Sequence, residues 1–294
     1  MPIKTVDELI DNIFKRPVIT VPKSDIKSLL DNFELSLTYR TKQTASTYLS
    51  IIKKFLAFAG ARISYTQSDV YKFLRHLENS GFSRNYQRIS FYALKKFFKA
   101  NNIVWSLSTD DLPKLIRGKI NKPTMSSENV VKLITYTKKY GLPFEKAFLA
   151  LSTTYGLRIS EIEQLKNSDV NLKAKTIHIQ TLKGGEERVH IIPNAIIPYL
   201  NYNFDRMPST TTISKHFNKM CQNAGIKRQW RENIHSLRRS LLTELANSGI
   251  PELMLGKFMR WRKQSSMTQE YYNPEIREVD NFIFKKHPFI KYWL

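Results

Sequence analysis

Hydrophobic positions recur at helical rather than strand spacing along most of this chain. Apolar stripes at Tyr48, Ile51, Ile52, Phe55, Leu56 and Phe58, then Val70, Phe73, Leu74 and Leu77, then Ile89, Tyr92, Leu94, Phe97 and Phe98 predict a small all-helical domain over residues 26 to 102. Ahead of it, residues 6 to 15 read as a short amphipathic helix, followed by an extended connector in which Pro17 and Pro22 block helix continuation. After it, residues 106 to 124 hold Asp110, Asp111, Pro113, Gly118 and Pro123 with Lys114, Arg117, Lys119 and Lys122 among them, the composition of a linker able to meet phosphates. Ser126 or Ser127 then caps a new helix. The expected organisation is therefore an N-terminal extension (1–23), a helical domain (24–105), a linker (106–125) and a second domain (126–294). Residues 176 to 193 break the helical rhythm: two alternating runs flank Gly184-Gly185 and read as a β-hairpin with Lys183 beside its turn. The fold class is mainly α, with a small antiparallel hairpin or sheet in the second domain and one further short strand not placed by pattern.

Charge narrows the partner. Lys and Arg number 47 against 25 acids, a formal +22 with pI near 9.9, which points to a polyanion. Double-stranded DNA is the partner expected, although RNA or a membrane surface would satisfy charge alone. Within residues 36 to 62 lie Arg40, Lys42, Lys53, Lys54 and Arg62 with no acid, and within 80 to 102 lie Arg84, Arg88, Lys95, Lys96 and Lys99, again with none. Tyr86, Phe91 and Tyr92 interleave with the second set. Such cations neutralise phosphates in a sequence-tolerant, salt-sensitive way; a merely solvated basic face is the plain alternative.

Other classes are disfavoured. The single cysteine, Cys221, leaves no internal disulfide and no cysteine cluster for a metal, and is expected in the core of a helix over residues 213 to 224. None of the six histidines shows ligand spacing, His178 and His190 being read as decoration of the hairpin faces, and no phosphate-binding glycine loop is present. No cofactor or metal is expected. Asp7, Glu8 and Asp11 interrupt any secretion signal, and no apolar run reaches the roughly 18 residues of a membrane span, so a cytoplasmic protein is expected.

Four stretches carry candidate chemistry. In Ile234-His235-Ser236-Leu237-Arg238, His235 and Arg238 share one helix face while Leu237, Leu241 and Leu245 can face a core. In Tyr155-Gly156-Leu157-Arg158-Ile159-Ser160-Glu161, a long apolar run ends at Gly156, suited to a left-handed cap, and Arg158 follows the corner with Glu161 one turn on to orient it. A surface ion pair between Arg158 and Glu161 is the bland alternative. The hairpin brings Lys183, and Thr268-Gln269-Glu270-Tyr271-Tyr272 sets two phenols in a polar segment.

Together, in this order, the four stretches resemble the tyrosine recombinase/integrase family, which includes Xer-type recombinases and phage or plasmid integrases. Gly156 to Glu161 is similar to the family's first arginine box, Lys183 to Arg188 to its hairpin lysine segment, His235 to Arg238 to the second box and Thr268 to Tyr271 to the nucleophile segment. The likeness runs from about residue 24 onward and extends to the basic helical domain, which resembles the family's core-binding domain. It implies that Arg158, Lys183, His235, Arg238 and Tyr271 are catalytic, with Glu161 supporting them, and that Lys42, Arg84, Arg88, Lys95, Lys96, Lys119 and Lys122 meet DNA. One departure stands out. The family usually places a histidine or tryptophan nine residues before the tyrosine, and that count lands on Arg262; either Arg262 replaces it as a donor, or Trp261 fills the role across a one-residue insertion. Tyr271 is preferred as nucleophile, with Tyr272 the alternative.

The implied chemistry is consistent with the residue types. A phenol with pKa about 10 attacks phosphorus at neutral pH only with proton removal and charge stabilisation, tasks suited to His235 and to the planar guanidiniums of Arg158 and Arg238. Lys183 would protonate the departing 5′ oxygen. A 3′-phosphotyrosyl intermediate conserves the bond energy, so rejoining needs neither ATP nor metal. The aromatic tail from Val279 to Leu294 either folds on its own domain or docks on a neighbour, as in family members that assemble tetramers on paired sites. A type IB topoisomerase-like or resolvase activity, or a non-catalytic DNA-binding regulator, are the alternatives.

Overall fold

The computed structural model describes residues 26–60, 65–112, 123–181, 185–230, 232–261 and 275–294. The expected N-terminal helix and connector, Lys119, Lys122, Lys183, Arg262, Tyr271 and Tyr272 lie outside the described residues. The chain divides into two compact units, residues 1–119 and 120–294.

The first unit is four helices, α1 (Ile26–Ser36), α2 (Lys42–Ala59), α3 (Gln67–Asn79) and α4 (Arg84–Ala100). Hydroxyl caps set three of the starts: Thr41, Thr66 and Ser83 accept the backbone N–H of Thr44, Asp69 and Tyr86. Thr66 and Asp69 form a reciprocal capping box. The predicted stripes bury Ile51, Ile52, Phe55, Val70, Phe73, Leu77, Leu94, Phe97 and Phe98 in one core, where Phe33 meets Phe97 and Phe55 meets Phe73 edge-on, each at 5.5 Å between centroids. Asn101 closes the bundle by donating to the carbonyls of Leu29 and Phe97. Two stripe positions are not core. Phe58, 41% exposed, stacks on His76 at 4.8 Å, and Tyr92, 39% exposed, lies edge-on to Phe91 at the rim.

The second unit packs α5 (Ser127–Tyr140), α6 (Pro143–Tyr155), α7 (Ile159–Glu163), α8 (Thr210–Asn223), α9 (Ile234–Asn247), α10 (Glu252–Phe258) and α11 (Ile276–Lys285) against a three-stranded antiparallel sheet of β1 (Val170–Asn171), β2 (Thr176–Ile179) and β3 (Arg188–Ile191). Helix α6 is its axis, since every residue from Ala147 to Tyr155 is buried. Ser126 caps α5, Cys221 is buried within α8, and Leu237, Leu241 and Leu245 turn inward from α9. The β1 strand is the short one that pattern did not place. The hairpin is real, with Ile177 opposite His190 and Ile179 opposite Arg188; β2 ends at Ile179 and β3 begins at Arg188, and the turn expected at Gly184-Gly185 lies partly outside the described residues.

The tail docks in cis. Trp293 is buried and its indole N–H donates to the Thr153 hydroxyl at 3.1 Å. Lys138 donates to the carbonyl oxygens of Tyr292 and Leu294. Just upstream, the His287 Nε2 lies 3.0 Å from the Thr154 carbonyl, while Nδ1 accepts the N–H groups of Phe289 and Ile290. That pattern requires a neutral ring with its proton on Nε2, and burial holds His287 down at about 4.

Candidate active site

The corner after α6 organises the site. Gly156 takes the left-handed cap (φ 59°, ψ 36°) expected of it, and it must also be small. A Cβ there would come 3.0 Å from the Met259 methyl and 3.3 Å from Cγ of Arg238. Two residues on, Arg158 is the N-cap of α7, with its backbone N–H donating to Glu161 Oε2 at 2.8 Å and its guanidinium donating to Oε1 at 2.5 Å. Glu161 is wholly buried while the Arg158 side chain is 26% exposed. This is therefore no surface ion pair: a buried carboxylate holds one edge of a half-open guanidinium.

Arg238 arrives from α9, far along the chain. Its guanidinium donates to the Gly156 carbonyl and, at 3.0 Å, to the Met259 carbonyl, so it is clamped between the arginine corner and the turn after α10. Burial, followed by repulsion from Arg260 and Arg158, brings it down to about 9, still protonated at neutral pH. His235, one turn earlier on α9, is exposed. Its backbone N–H donates to the Asn233 side chain, which caps the helix. Trp261 is 38% exposed, with its backbone N–H donating to the Gly256 carbonyl and its ring against Gly256.

A third arginine was not anticipated. Arg260 is 1% exposed and lies 3.7 Å from Glu161 through its Nη2, so one carboxylate serves two cations. Its guanidinium also donates to the carbonyls of Phe258 and Tyr155 at 3.2 and 3.3 Å and approaches Nε2 of His190 at 3.4 Å. Burial, offset by Glu161, draws it to about 10. His190 in turn places Nδ1 2.9 Å from Asp280 Oδ1, and the other carboxylate oxygen accepts the Ile191 N–H at 2.7 Å. His190 and Asp280 are both fully buried. Desolvation lowers the His190 pKa against the pull of Asp280, which fits a neutral ring donating to Asp280 and accepting from Arg260. The reading of His190 as decoration of a hairpin face is thus corrected: the ring is inside, because the charged pair it bridges lies inside. His178 matches that reading better, part-exposed between Asp169 and Glu187.

Of the expected residues, Arg158, Glu161 and Arg238 are brought together, with His235 on the same helix as Arg238. Lys183, Arg262 and Tyr271 are outside the described residues. Residues flanking the lysine do approach the cluster: Glu186 donates its N–H to the Arg260 carbonyl at 3.3 Å, and a Cβ on Gly185 would sit 2.4 Å from that same oxygen. Asp280 had a legible signal, an acid at helical spacing beside Ile276, Val279 and Ile283 on an otherwise apolar face. Arg260 had none. Arg158, half open beside a buried carboxylate, and Arg238, held on the Gly156 and Met259 carbonyls, are brought to one corner, an arrangement that can receive the non-bridging oxygens of a phosphoryl group.

A mostly helical domain with a small antiparallel sheet and an arginine corner of this kind is the architecture of an integrase-type domain. The chain belongs to the phage integrase family, whose model matches residues 123–277. It is 28% identical over 233 residues to the tyrosine recombinase XerA of Pyrococcus furiosus, covering 74% of this chain and 78% of the relative. Among solved structures it is similar in fold to a lambda integrase tetramer bound to a Holliday junction (TM-score 0.61, 16% identity, 90% of this chain and 83% of the other). It is similar also to the Tn1549 transposon integrase in complex with transposon right-end DNA (TM-score 0.57, 14% identity, 90% and 99%).

Proposed function

We propose that this protein is a site-specific DNA recombinase that cleaves and rejoins DNA through a covalent 3′-phosphotyrosyl intermediate. The observation that carries the reading is the convergence at the Gly156 corner of Arg158, held by Glu161, and Arg238, held by the Gly156 carbonyl. In the proposed reaction the two guanidiniums bind the non-bridging oxygens of the scissile phosphate and stabilise the charge that builds on them. The Tyr271 oxygen attacks phosphorus, its proton passing to His235 or to water through it. The bond from phosphorus to the 5′ oxygen breaks and that oxygen takes a proton from Lys183. A 5′ hydroxyl then attacks the phosphotyrosine, reversing each step and freeing the phenol, so that the bond count is unchanged. Arg262 or Trp261 completes the donor set beside the phosphate.

Binding is assigned to the basic face of the first unit and the stretch that follows it. Lys42, Arg84 and Lys95 are exposed and Arg88 and Lys96 partly so, and with Lys119 and Lys122 they supply phosphate contacts to duplex DNA. Lys54 is drawn over the Phe82 and Tyr86 rings, at 5.1 and 5.3 Å, and donates to the Tyr86 hydroxyl, which shapes that face without neutralising it. Strand exchange between two sites calls for a homotetramer, and a DNA substrate places the protein in the cytoplasm. Among the described residues no helix is long and apolar enough to cross a membrane.

The test is a nicked suicide duplex bearing a candidate site, incubated with wild type, Tyr271→Phe and Tyr272→Phe in chelator without ATP. A denaturing gel should show a protein–DNA adduct lost in Tyr271→Phe alone. Loss in Tyr272→Phe alone moves the nucleophile by one residue, and tight binding with no adduct on the native site would leave a DNA-binding regulator as the better description.

A further inference from the structure

Arg260 carries two burdens at once. Its φ of 58° lies in the left-handed region that long side chains rarely occupy, and its guanidinium is buried with Nε unpartnered, which is strongly unfavourable unless the remaining partners compensate. Both are tolerated only where surrounding structure compensates. Here the compensation comes from three directions: Glu161 on α7 at 3.7 Å, His190 on β3 at 3.4 Å and through it Asp280 on α11, and the hairpin loop, whose Glu186 N–H reaches the Arg260 carbonyl.

These three directions are the ones that matter for the reaction proposed above. Glu161 is the carboxylate that holds Arg158. Lys183 is two residues from Gly185, which sits so tightly on the Arg260 carbonyl that no Cβ fits between them. The segment carrying Tyr271 leaves the described structure directly after Trp261 and returns at α11, whose buried Asp280 is the far end of the same chain of bonds. We infer that Arg260 is a positioning residue for DNA cleavage, a buried cation that fixes the arginine corner, the base of the lysine loop and the helix after the nucleophile relative to one another. The inference rests on the proposed roles of Arg158, Lys183 and Tyr271, and assigns Arg260 no contact with the phosphate.

A positioning role and a merely structural one separate by experiment. Single-turnover adduct formation on the suicide duplex, DNA affinity and melting temperature are measured for wild type, Tyr271→Phe, Arg260→Met, Arg260→Lys and Asp280→Asn. Ile134→Ala, a truncation in the core of α5, serves as a destabilised reference. Since misplacement by about 1 Å can slow a positioned reaction by ~100-fold, Arg260→Met should cleave ~100-fold more slowly below its melting temperature while binding DNA within about threefold of wild type. Ile134→Ala, assayed at the same margin below its own melting temperature, should cleave at close to the wild-type rate. Arg260→Lys, which keeps the charge but not the fork, should recover about tenfold of the loss, and Asp280→Asn should fall by about tenfold. Arg260→Met cleaving within threefold of wild type, or losing binding and cleavage together, overturns the inference. If Arg260→Met does not fold, an Asp280→Asn protein with wild-type cleavage overturns it instead. An adduct absent from wild type, or one that survives Tyr271→Phe and Tyr272→Phe alike, defeats the proposed function itself, a result distinct from any of these.

Discussion

The two units of this chain handle charge in opposite ways. The four-helix unit buries amides and hydroxyls such as Gln87, Ser90 and Asn101 but, among its described residues, no charged side chain; its phenylalanines pack edge to face and its lysines and arginines point outward. The second unit buries Glu161, His190, Arg260 and Asp280 in a single connected chain. Cations in water attract a polyanion at long range, are screened by salt and tolerate many sequences. Cations held by buried partners act over a few ångströms, in fixed directions, and are worth far more to a developing negative charge. Affinity and chemistry are therefore expected to be separable properties of separate units.

The sharpest way to break that comparison is at the arginine corner. Arg158→Ala removes the half-open guanidinium and leaves Glu161 with Arg260 alone; cleavage should fall by about 10³-fold, the scale of losing one preorganised donor, with DNA affinity nearly unchanged. Arg158→Lys should recover only part of the loss, because an ammonium cannot reproduce two parallel bonds. Single-turnover cleavage set against equilibrium binding checks both, and a parallel loss of affinity would merge the two roles proposed as separate.

A second prediction concerns buried histidine. His287 is neutral in the fold at about 4, whereas in the unfolded chain it titrates near 6.5. Between those values the unfolded state binds the extra proton, so stability is complete above about pH 6.5 and is lost as pH falls towards 4, by about 3 kcal/mol in all. His190, shifted the same way by burial, adds to the slope. Urea unfolding across that range should show the decline, and His287→Asn should flatten it. An unchanged slope in that variant would mean that the tail is not anchored as described.

The helices and most of the arginine corner were legible in the sequence. A left-handed glycine, an arginine after it and an acid one turn on form a local pattern, and local patterns survive folding. The buried chain was not legible, for reasons that particular residues make plain. Along β3 the alternation of Val189 and Ile191 suggests that they point inward, yet Val189 is 49% exposed and His190 is buried. Its partner Asp280 is 90 residues away in sequence, so nothing nearby marks the histidine as satisfied inside. Arg260 sits in Phe258-Met259-Arg260-Trp261, where an arginine reads as a surface residue between core positions. Only its distant partners make it otherwise. The hairpin was seen from its glycines, but the contact of Glu186 with the Arg260 carbonyl, 74 residues away in sequence, left no local mark.

That docking offers a gentler test than removing a charge. Gly185→Ala introduces a Cβ that would lie 2.4 Å from a backbone oxygen with no flexible side chain to yield, so the loop must shift. Displacing Lys183 without altering it should slow cleavage by about 10- to 100-fold and leave binding and stability close to wild type. The Gly185→Ala loss should be smaller in an Arg260→Met background, where the post is already loosened, and a double-variant cycle measures the difference.

The smallest effects belong to the four-helix unit, and they complete the comparison. Each of Lys42, Arg84 and Lys95 replaced singly by alanine should weaken DNA binding by a modest factor and reduce the slope of log affinity against log salt by about one for each phosphate no longer neutralised. Cleavage at saturating DNA should not change. Fluorescence anisotropy from low to high salt gives the slope, and the same proteins on the suicide duplex give the rate. If a surface lysine here altered the saturated cleavage rate as strongly as the arginine corner does, charge in the two units would not be doing different jobs. If the slopes fell while the rate held, the outer cations would set how long DNA stays bound, and the buried ones what happens to it there.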